Sequence, residues 1–555
     1  MRRLALNCLI AIGLASAFPA SEFTAGAKEA APAPAPAAPK LIVALSIDQF
    51  SADLFAQYRA RFTGGLARLQ QGAVFPSAYQ SHAATETCPG HSTLLTGVHP
   101  ARSGIISNNW FDLTQSRADK RVYCAEDETD PASTSRDPVV SARHLKVPTL
   151  GEYMKAAWPL SRNVAVSAKD RATVMMGGHQ IDEAYWYKAG QFVTFKGSAL
   201  SPAAVTENAA MAALIAKGAK PFTPPAWCGA RDAAITVGKA GALGQGRFAL
   251  AAKDADGFRI SPRMDAATLD LALKLVSQMR LGQGQAPDIL SVSLSATDYI
   301  GHAVGTEGME MCVQMAELDH GLGAFFVKLD KAKIDYAVML TADHGGLDLP
   351  ERLDEQALPR AARVDARLMP GALAADLADQ LKLTVDGPLL YSDGPFGDYY
   401  LSKNLSPAQR GLVLDALIAK LRAHPQIAGA YAAGELAATP VPTGNPQDWN
   451  LRDRARASFD VTRSGDFVVL LDRAIVPIPG AAKGYTATHG SAWDYDRRVP
   501  LLFWRKGMAG FEQPAPVETV DIAPTLAALL KLAVPAGSFD GRCLDLDGGA
   551  GNTCR

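Results

Sequence analysis

The chain has 555 residues, longer than one typical domain, although large α/β enzymes form single units of this size. Its 55 Lys and Arg balance 56 Asp and Glu, so no global field argues for nucleic acid or an anionic membrane as partner. A composition 48% hydrophobic and 20% charged is that of a globular core and excludes a largely disordered chain.

Arg2-Arg3 precede an apolar stretch from Leu4 to Phe18, followed by small residues at Ala15-Ser16-Ala17 and Ala25-Gly26-Ala27. That order is expected of a signal peptide over residues 1–27, and about 15 apolar positions are too few to span a bilayer comfortably. A short membrane anchor is the alternative, while Ala5-Leu6-Asn7 before Cys8 makes a poor lipoprotein signal. Residues 28–40, rich in Ala and Pro, read as a stiff linker, and a periplasmic or secreted protein is expected. The six cysteines beyond Cys8 allow up to three disulfides in 15 connectivities, with Cys543–Cys554 the favoured local pair.

Leu41 to Ile47 is a continuous apolar run that ends in Asp48. Asn163 to Ser167 leads to Lys169 and Arg171, Ile289 to Leu294 to Asp298, and Tyr336 to Leu340 to Asp343-His344. Such runs suit strands buried on both faces. Tyr185-Trp186-Tyr187 and the residues from Gln191 to Phe195 flank Ala189-Gly190 as a hairpin, and Val499 to Trp504 reads as a further strand. Helical patterns cover 265–280, 517–532 and the stretch from Ser406-Pro407 to about Arg422. The alternation predicts an α/β fold with a mostly parallel central sheet flanked by helices on both faces. One catalytic domain over 41–555 is expected, with smaller insertions at about 172–260 and about 350–480. Sites in such sheets form beyond the carboxyl ends of the strands, where four of these segments place charged groups.

Asp48, Asp298, His302, Asp343, His344 and His489 supply three carboxylates and three imidazoles without thiolates. These ligand types suit Zn²⁺ in a catalytic setting, with Mn²⁺ or Fe also possible, and they divide into two three-ligand sites. Two metals about 3.5–4 Å apart can clamp the entering and leaving oxygens of a phosphoryl displacement. Thr87 opens a predicted helix, whose N-terminal N–H groups and dipole favour a phosphate. Taken singly, Thr87 could be a helix cap, Asp48 a turn residue and His489 a core histidine.

Thr87-Cys88-Pro89-Gly90-His91, Thr96-Gly97 and the run from Gly104 to Asn109 together resemble the alkaline phosphatase superfamily. The pattern T-x-P-x-H…TG…GI-x-x-N is similar to that of nucleotide pyrophosphatase/phosphodiesterases and threonine-nucleophile alkaline phosphatases, and it extends from near residue 40 to near 490. The resemblance implies two Zn²⁺, one on Asp298, His302 and His489. The other would sit on Asp48, Asp343 and His344, with Thr87 binding it as an alkoxide nucleophile. Sulfatases of the same superfamily need a modified Cys or Ser in C-x-P-x-R, which Cys88-Pro89 does not provide. Cys88 is read as a disulfide half or a buried neighbour, and His91 as supporting the motif without ligating.

Lys169 and Arg171, in a segment resembling the threonine-type alkaline phosphatases, are expected to project alike from an extended strand end and bind phosphate with Asn108. They favour monoesters, whose extra negative charge needs extra cations. The expected function is a zinc-dependent alkaline phosphatase working through a phosphothreonine on Thr87, with possible diesterase promiscuity. A nucleotide pyrophosphatase/phosphodiesterase is the alternative, and a non-catalytic metal- or phosphate-binding protein the second. Small phosphate esters are the expected partners, with a monomer favoured and neither nucleic acid nor a stable membrane anchor. His82, His99, His144, His179, His320 and His424 are expected to be structural.

Overall fold

Seven consecutive residues, Leu41–Ile47 (β1), are buried on both faces and lie between two parallel neighbours, Asp288–Leu294 (β6) and Tyr336–Thr341 (β7). A computed structural model describes residues 37–356 and 358–554. The signal-peptide reading and most of the linker fall outside the described residues. The remaining central strands are Ala73–Tyr79 (β2), Asn163–Ser167 (β3), Glu183–Lys188 (β4), Gln191–Val193 (β5) and Arg498–Arg505 (β8). Across the sheet the order is β2-β8-β7-β1-β6-β3-β4-β5, and two short strands pair with β2 to make ten among the described residues.

The contiguous run β7-β1-β6-β3-β4 is parallel. The flank β7-β8-β2 and the hairpin β4-β5 are antiparallel. Ala189 and Gly190, both at positive φ, close that hairpin, which suits the right-handed twist of its strands. β4 and β5, within the stretch 172–260, extend the central sheet itself. Residues between 390 and 471 build a separate four-stranded sheet with its own core around Leu373, Leu417, Leu421 and Val469.

The helices lie close to their expected positions, with two corrections. The first is helix Pro262–Met279, which begins three residues before the expected start because Ser261 caps it and Pro262 opens it. The second is the single helix expected over 517–532, which is a helix only at Ile522–Leu530. Val517–Glu518 pair with β2 and a 3₁₀ turn follows, because edge pairing claims the β-branched start of the segment.

Three disulfides are present among the described residues, Cys88–Cys124, Cys228–Cys312 and Cys543–Cys554, so the expected local pair forms and Cys88 is a disulfide half. His82, His99, His144 and His179 each meet a polar side chain away from the metal-type ligands. His99 is the most strongly held, with Nε2 3.0 Å from Glu518 and Nδ1 3.3 Å from Asp540. Burial pulls its pKa down, but hydrogen bonds to Asp540 and Glu518 outweigh that and raise it to about 9. A folded-state value above the unfolded one stabilises fully below about pH 6.5 and loses that stabilisation as pH rises through 9. The loss is expected to be on the order of 3 kcal/mol. Denaturant unfolding of wild type and His99→Gln across pH 6–10 checks it: the wild type should lose stability over this window, and the variant should be much flatter.

Candidate active site

The parallel strands deliver their charged residues to one end of the sheet. Asp48 follows β1, Lys169 follows β3, Asp298 follows β6 and Asp343-His344 follow β7. Thr87–Thr96 (α1), Asp170–Gly177 (α2) and Ala296–Val304 (α3) start at the same end. All ten residues of α1 are buried, and Gly90 lets it approach β7: a Cβ there would lie 2.0 Å from the Asp343 carbonyl oxygen. The close approach fixes where the helix N-terminus, and Thr87 with it, meets the acids.

Asp298 and His302 stand four residues apart on α3 and so share a face. His302 Nε2 lies 3.3 Å, and His489 Nε2 3.4 Å, from Asp298 Oδ1. On the β1–β7 side, His344 Nε2 lies 3.4 Å from Asp48 Oδ1 and 3.3 Å from Asp343 Oδ2. The His344 and His489 rings stack with centroids 3.6 Å apart, so the two groups are immediate neighbours. Asp298, His302 and His489 converge tightly enough to hold one ion, and so do Asp48, Asp298 and His344. Asp298 thus touches both groups, while Asp343 borders the second with its Oδ2 also 3.0 Å from His91 Nδ1.

Each of the three histidines in these groups has its other nitrogen committed. His302 Nδ1 lies 2.9 Å from the Ala487 carbonyl, His489 Nδ1 2.8 Å from Thr85 and His344 Nδ1 2.9 Å from Gly345. Donation from Nδ1 fixes the tautomer and leaves each Nε2 lone pair for a metal. Asp48 Oδ1, Asp298 Oδ1 and His344 Nε2 are buried without a hydrogen-bond partner. Orphaned oxygen and imidazole donors facing one another are the chemistry of a cation site. Burial lowers the His344 pKa to about 3, keeping it neutral. Burial, with Asp298 and Asp343 beside it, pushes Asp48 well above the usual carboxylate range. Asp298 falls well below that range because His302 and Lys169 outweigh its burial.

Thr87 is fully buried at the first position of α1, after Glu86 at the cap. Its Oγ1 lies 3.4 Å from Lys169 Nζ and 3.4 Å from Arg171 Nη2. Of the extended backbone expected for Lys169 and Arg171, only Lys169 keeps it, at φ −110° and ψ 126°. β3 ends at Ser167, Lys169 caps α2 and Arg171 lies in its first turn. The two still converge because the buried Lys169 points toward the acids, 2.7 Å from Asp48 Oδ2 and bonded to Asp298. Asn108 accepts from the Cys88 N–H at 2.8 Å and lines a cleft of about 450 Å³.

Glu86, not singled out from the sequence, accepts the Asn108 backbone N–H at 2.8 Å and brackets the loop from the other side. Its only sequence signal is its place directly before Thr87. His91 bridges Ser293 on β6 and the edge of Asp343, a supporting position without a place in either ligand group. Asp265, also missed, accepts the Ala296 N–H that opens α3 and so fixes the helix that carries Asp298 and His302.

A sequence profile of the type I phosphodiesterase / nucleotide pyrophosphatase family matches residues 42–492, a segment that holds every site residue described above. The chain belongs to this family. Alkaline phosphatase PhoK of Sphingomonas sp is 54% identical over 519 residues, 93% of this chain and 92% of PhoK. Alkaline phosphatase PhoD of Zymomonas mobilis subsp. mobilis is 48% identical over 522 residues, 93% of this chain and 89% of PhoD. The crystal structure of wild-type alkaline phosphatase PafA aligns with a TM-score of 0.78 at 26% identity, covering 92% of this chain and 99% of PafA. A PafA variant with a Thr, an Asn, a Lys and an Arg replaced aligns equally well, at 25% identity. The expected superfamily, the mixed α/β fold and the reading of the chain as an enzyme are borne out. No described helix is long and apolar enough to cross a membrane.

Proposed function

We propose that this protein is an exported, zinc-dependent alkaline phosphatase that hydrolyses phosphate monoesters through a phosphothreonine on Thr87. The observation that carries the monoester reading is the convergence of Lys169 Nζ and Arg171 Nη2 at 3.4 Å from Thr87 Oγ1. Two cations beside the attacking oxygen match a phosphoryl group with more charge than a diester carries. The PafA variant supports the assignment, since its four replaced residue types are those of Thr87, Asn108, Lys169 and Arg171. They follow the same steps of 21 residues from Thr to Asn and two from Lys to Arg.

The carboxylate–imidazole sets fit Zn²⁺. Imidazole and carboxylate donors without thiolates are the ligand types of catalytic zinc. The four Nε2–Oδ separations, 3.3, 3.4, 3.4 and 3.3 Å, leave each set close enough to share an ion. Asp298, His302 and His489 would hold one ion and Asp48, Asp343 and His344 the other, with Thr87 beside it. Bound metals supply Lewis acidity, which favours the ionised form of a hydroxyl or water and offsets charge on the leaving oxygen.

The chain's own groups perform the rest. The α1 N-terminus and the Arg171 guanidinium draw the phosphoryl group onto Thr87. Glu86 and the Cys88 N–H fix the Asn108 amide so that its NH₂ meets a non-bridging oxygen. Lys169 balances Asp48, Asp298 and the incoming charge. Thr87 Oγ attacks phosphorus, the alcohol leaves, and water then cleaves the phosphothreonine to release phosphate and restore the hydroxyl. Arg171→Ala is expected to lower monoester kcat/KM by roughly 10²–10³-fold while changing diester turnover less than tenfold. Equal losses on both substrates would remove the basis for the monoester assignment. The three disulfides support export to an oxidising compartment, which N-terminal sequencing of periplasmic protein would check.

A further inference from the structure

The cleft lined by Glu86, Asn108, Arg171, His302 and His489, about 450 Å³, falls in the range of sites that enclose a whole small molecule, far more than a phosphoryl group alone occupies. Around His302 and His489 the surplus space is lined by the aromatic rings of Tyr485 and Phe396. Tyr485 is 48% exposed within the cleft, and its ring centroid lies 5.4 Å from that of His302 at an interplanar angle of 31°. On the other side of His489, the Phe396 ring packs against Gly490: a Cβ there would lie 2.8 Å from Phe396 Cζ. Gly490, with φ +109°, is therefore needed both for its backbone and for the space the ring takes.

Tyr485 is held rigidly despite its exposure. Its N–H and C=O both pair with Ala482 at 3.0 and 3.1 Å. The next residue, Thr486, donates its N–H to the His302 carbonyl at 2.7 Å and its hydroxyl to Ala303 at 3.0 Å. The strap carrying the ring is thus tied to the backbone of the helix that carries His302. A half-exposed aromatic fixed in a cleft offers a flat apolar face at small entropic cost on binding.

We propose that Tyr485 and Phe396 form a leaving-group subsite that selects monoesters whose alcohol carries a planar aromatic ring, aryl and nucleoside phosphates among them, over those of small alkyl alcohols. The inference rests on the proposed monoesterase reading, in which the group departing from phosphorus faces the Asp298–His302–His489 side. Tyr485 is the specificity-determining residue of the pair because its ring is the more exposed of the two. Its hydroxyl is not required, so phenylalanine should serve equally.

The test uses the metal-loaded full-length protein and its Tyr485→Ala and Tyr485→Phe variants. Competitive inhibition by phenylphosphonate and methylphosphonate is measured beside kcat/KM for phenyl phosphate and methyl phosphate. Wild type and Tyr485→Phe should bind phenylphosphonate more tightly than methylphosphonate, and Tyr485→Ala should lose roughly fivefold of that difference. Inhibition by methylphosphonate should stay within twofold in all three. Equal effects of Tyr485→Ala on both phosphonates, or on neither, while monoesters are still turned over, would overturn the subsite alone. Absence of monoester turnover and of phosphonate binding in the wild type would overturn the underlying reading and the subsite with it.

Discussion

Thr87→Ala is expected to lose monoester turnover by roughly four orders of magnitude or more, with metal content and fold close to wild type. The size of the effect follows from the chemistry. Removing the nucleophile deletes the covalent route, and a methyl side chain at that position offers no oxygen to attack phosphorus. Selectivity for catalysis over stability follows from the structure. The ions would rest on six other side chains, and among the described residues Thr87 Oγ1 makes two long contacts, to Lys169 and Arg171. Thr87→Ser should keep part of the activity because it retains the hydroxyl at the helix N-terminus. Steady-state kinetics and elemental analysis of the three proteins decide it, and a Thr87→Ala enzyme retaining most of its activity would sink the nucleophile assignment.

The second large effect is expected at Asp298. Its carboxylate enters both ligand groups, lies 3.3–3.4 Å from His302 and His489, and balances Lys169. Asp298→Ala should therefore lose the ion held with His302 and His489, leaving about one zinc per chain, and lower kcat/KM by about three orders of magnitude or more. His302→Ala should likewise spare the ion on the His344 side. Two ions retained by Asp298→Ala would contradict its place among the ligands. Chelator treatment of the wild type should abolish turnover reversibly, with activity returning as zinc is restored.

The parts of this site that are legible in the sequence are those with a local signal. β1, β6 and β7 are buried on both faces and therefore appear as unbroken apolar runs whose ends can be read directly. Asp48, Asp298 and Asp343-His344 follow those ends, and Thr87 sits in a compact motif that opens a helix. Strand direction leaves no such mark, so nothing in Val499 to Trp504 tells that β8 runs antiparallel to β7. The backbone at Lys169 and Arg171 is hidden for a related reason. The strand stops at Ser167 and a helix begins at Asp170, a boundary that side-chain periodicity over five residues does not resolve.

Long-range partners are the least legible. Glu86 meets Asn108 across 22 residues, His489 reaches the Thr85 carbonyl across 404, and Asp265 caps α3 from 31 residues away. Phe396 and Tyr485 come from distant segments and line one cleft only after the chain folds. Polar residues of this kind look like ordinary surface or core positions until tertiary structure gives them a neighbour.

The most direct test of the central claim is the ratio of phosphate monoester to diester turnover by the zinc-loaded protein at alkaline pH. A large monoester excess is the expected result and gives Lys169 and Arg171 their role beside Thr87. A diester excess would leave the metal ligands and Thr87 in place but contradict the monoesterase assignment.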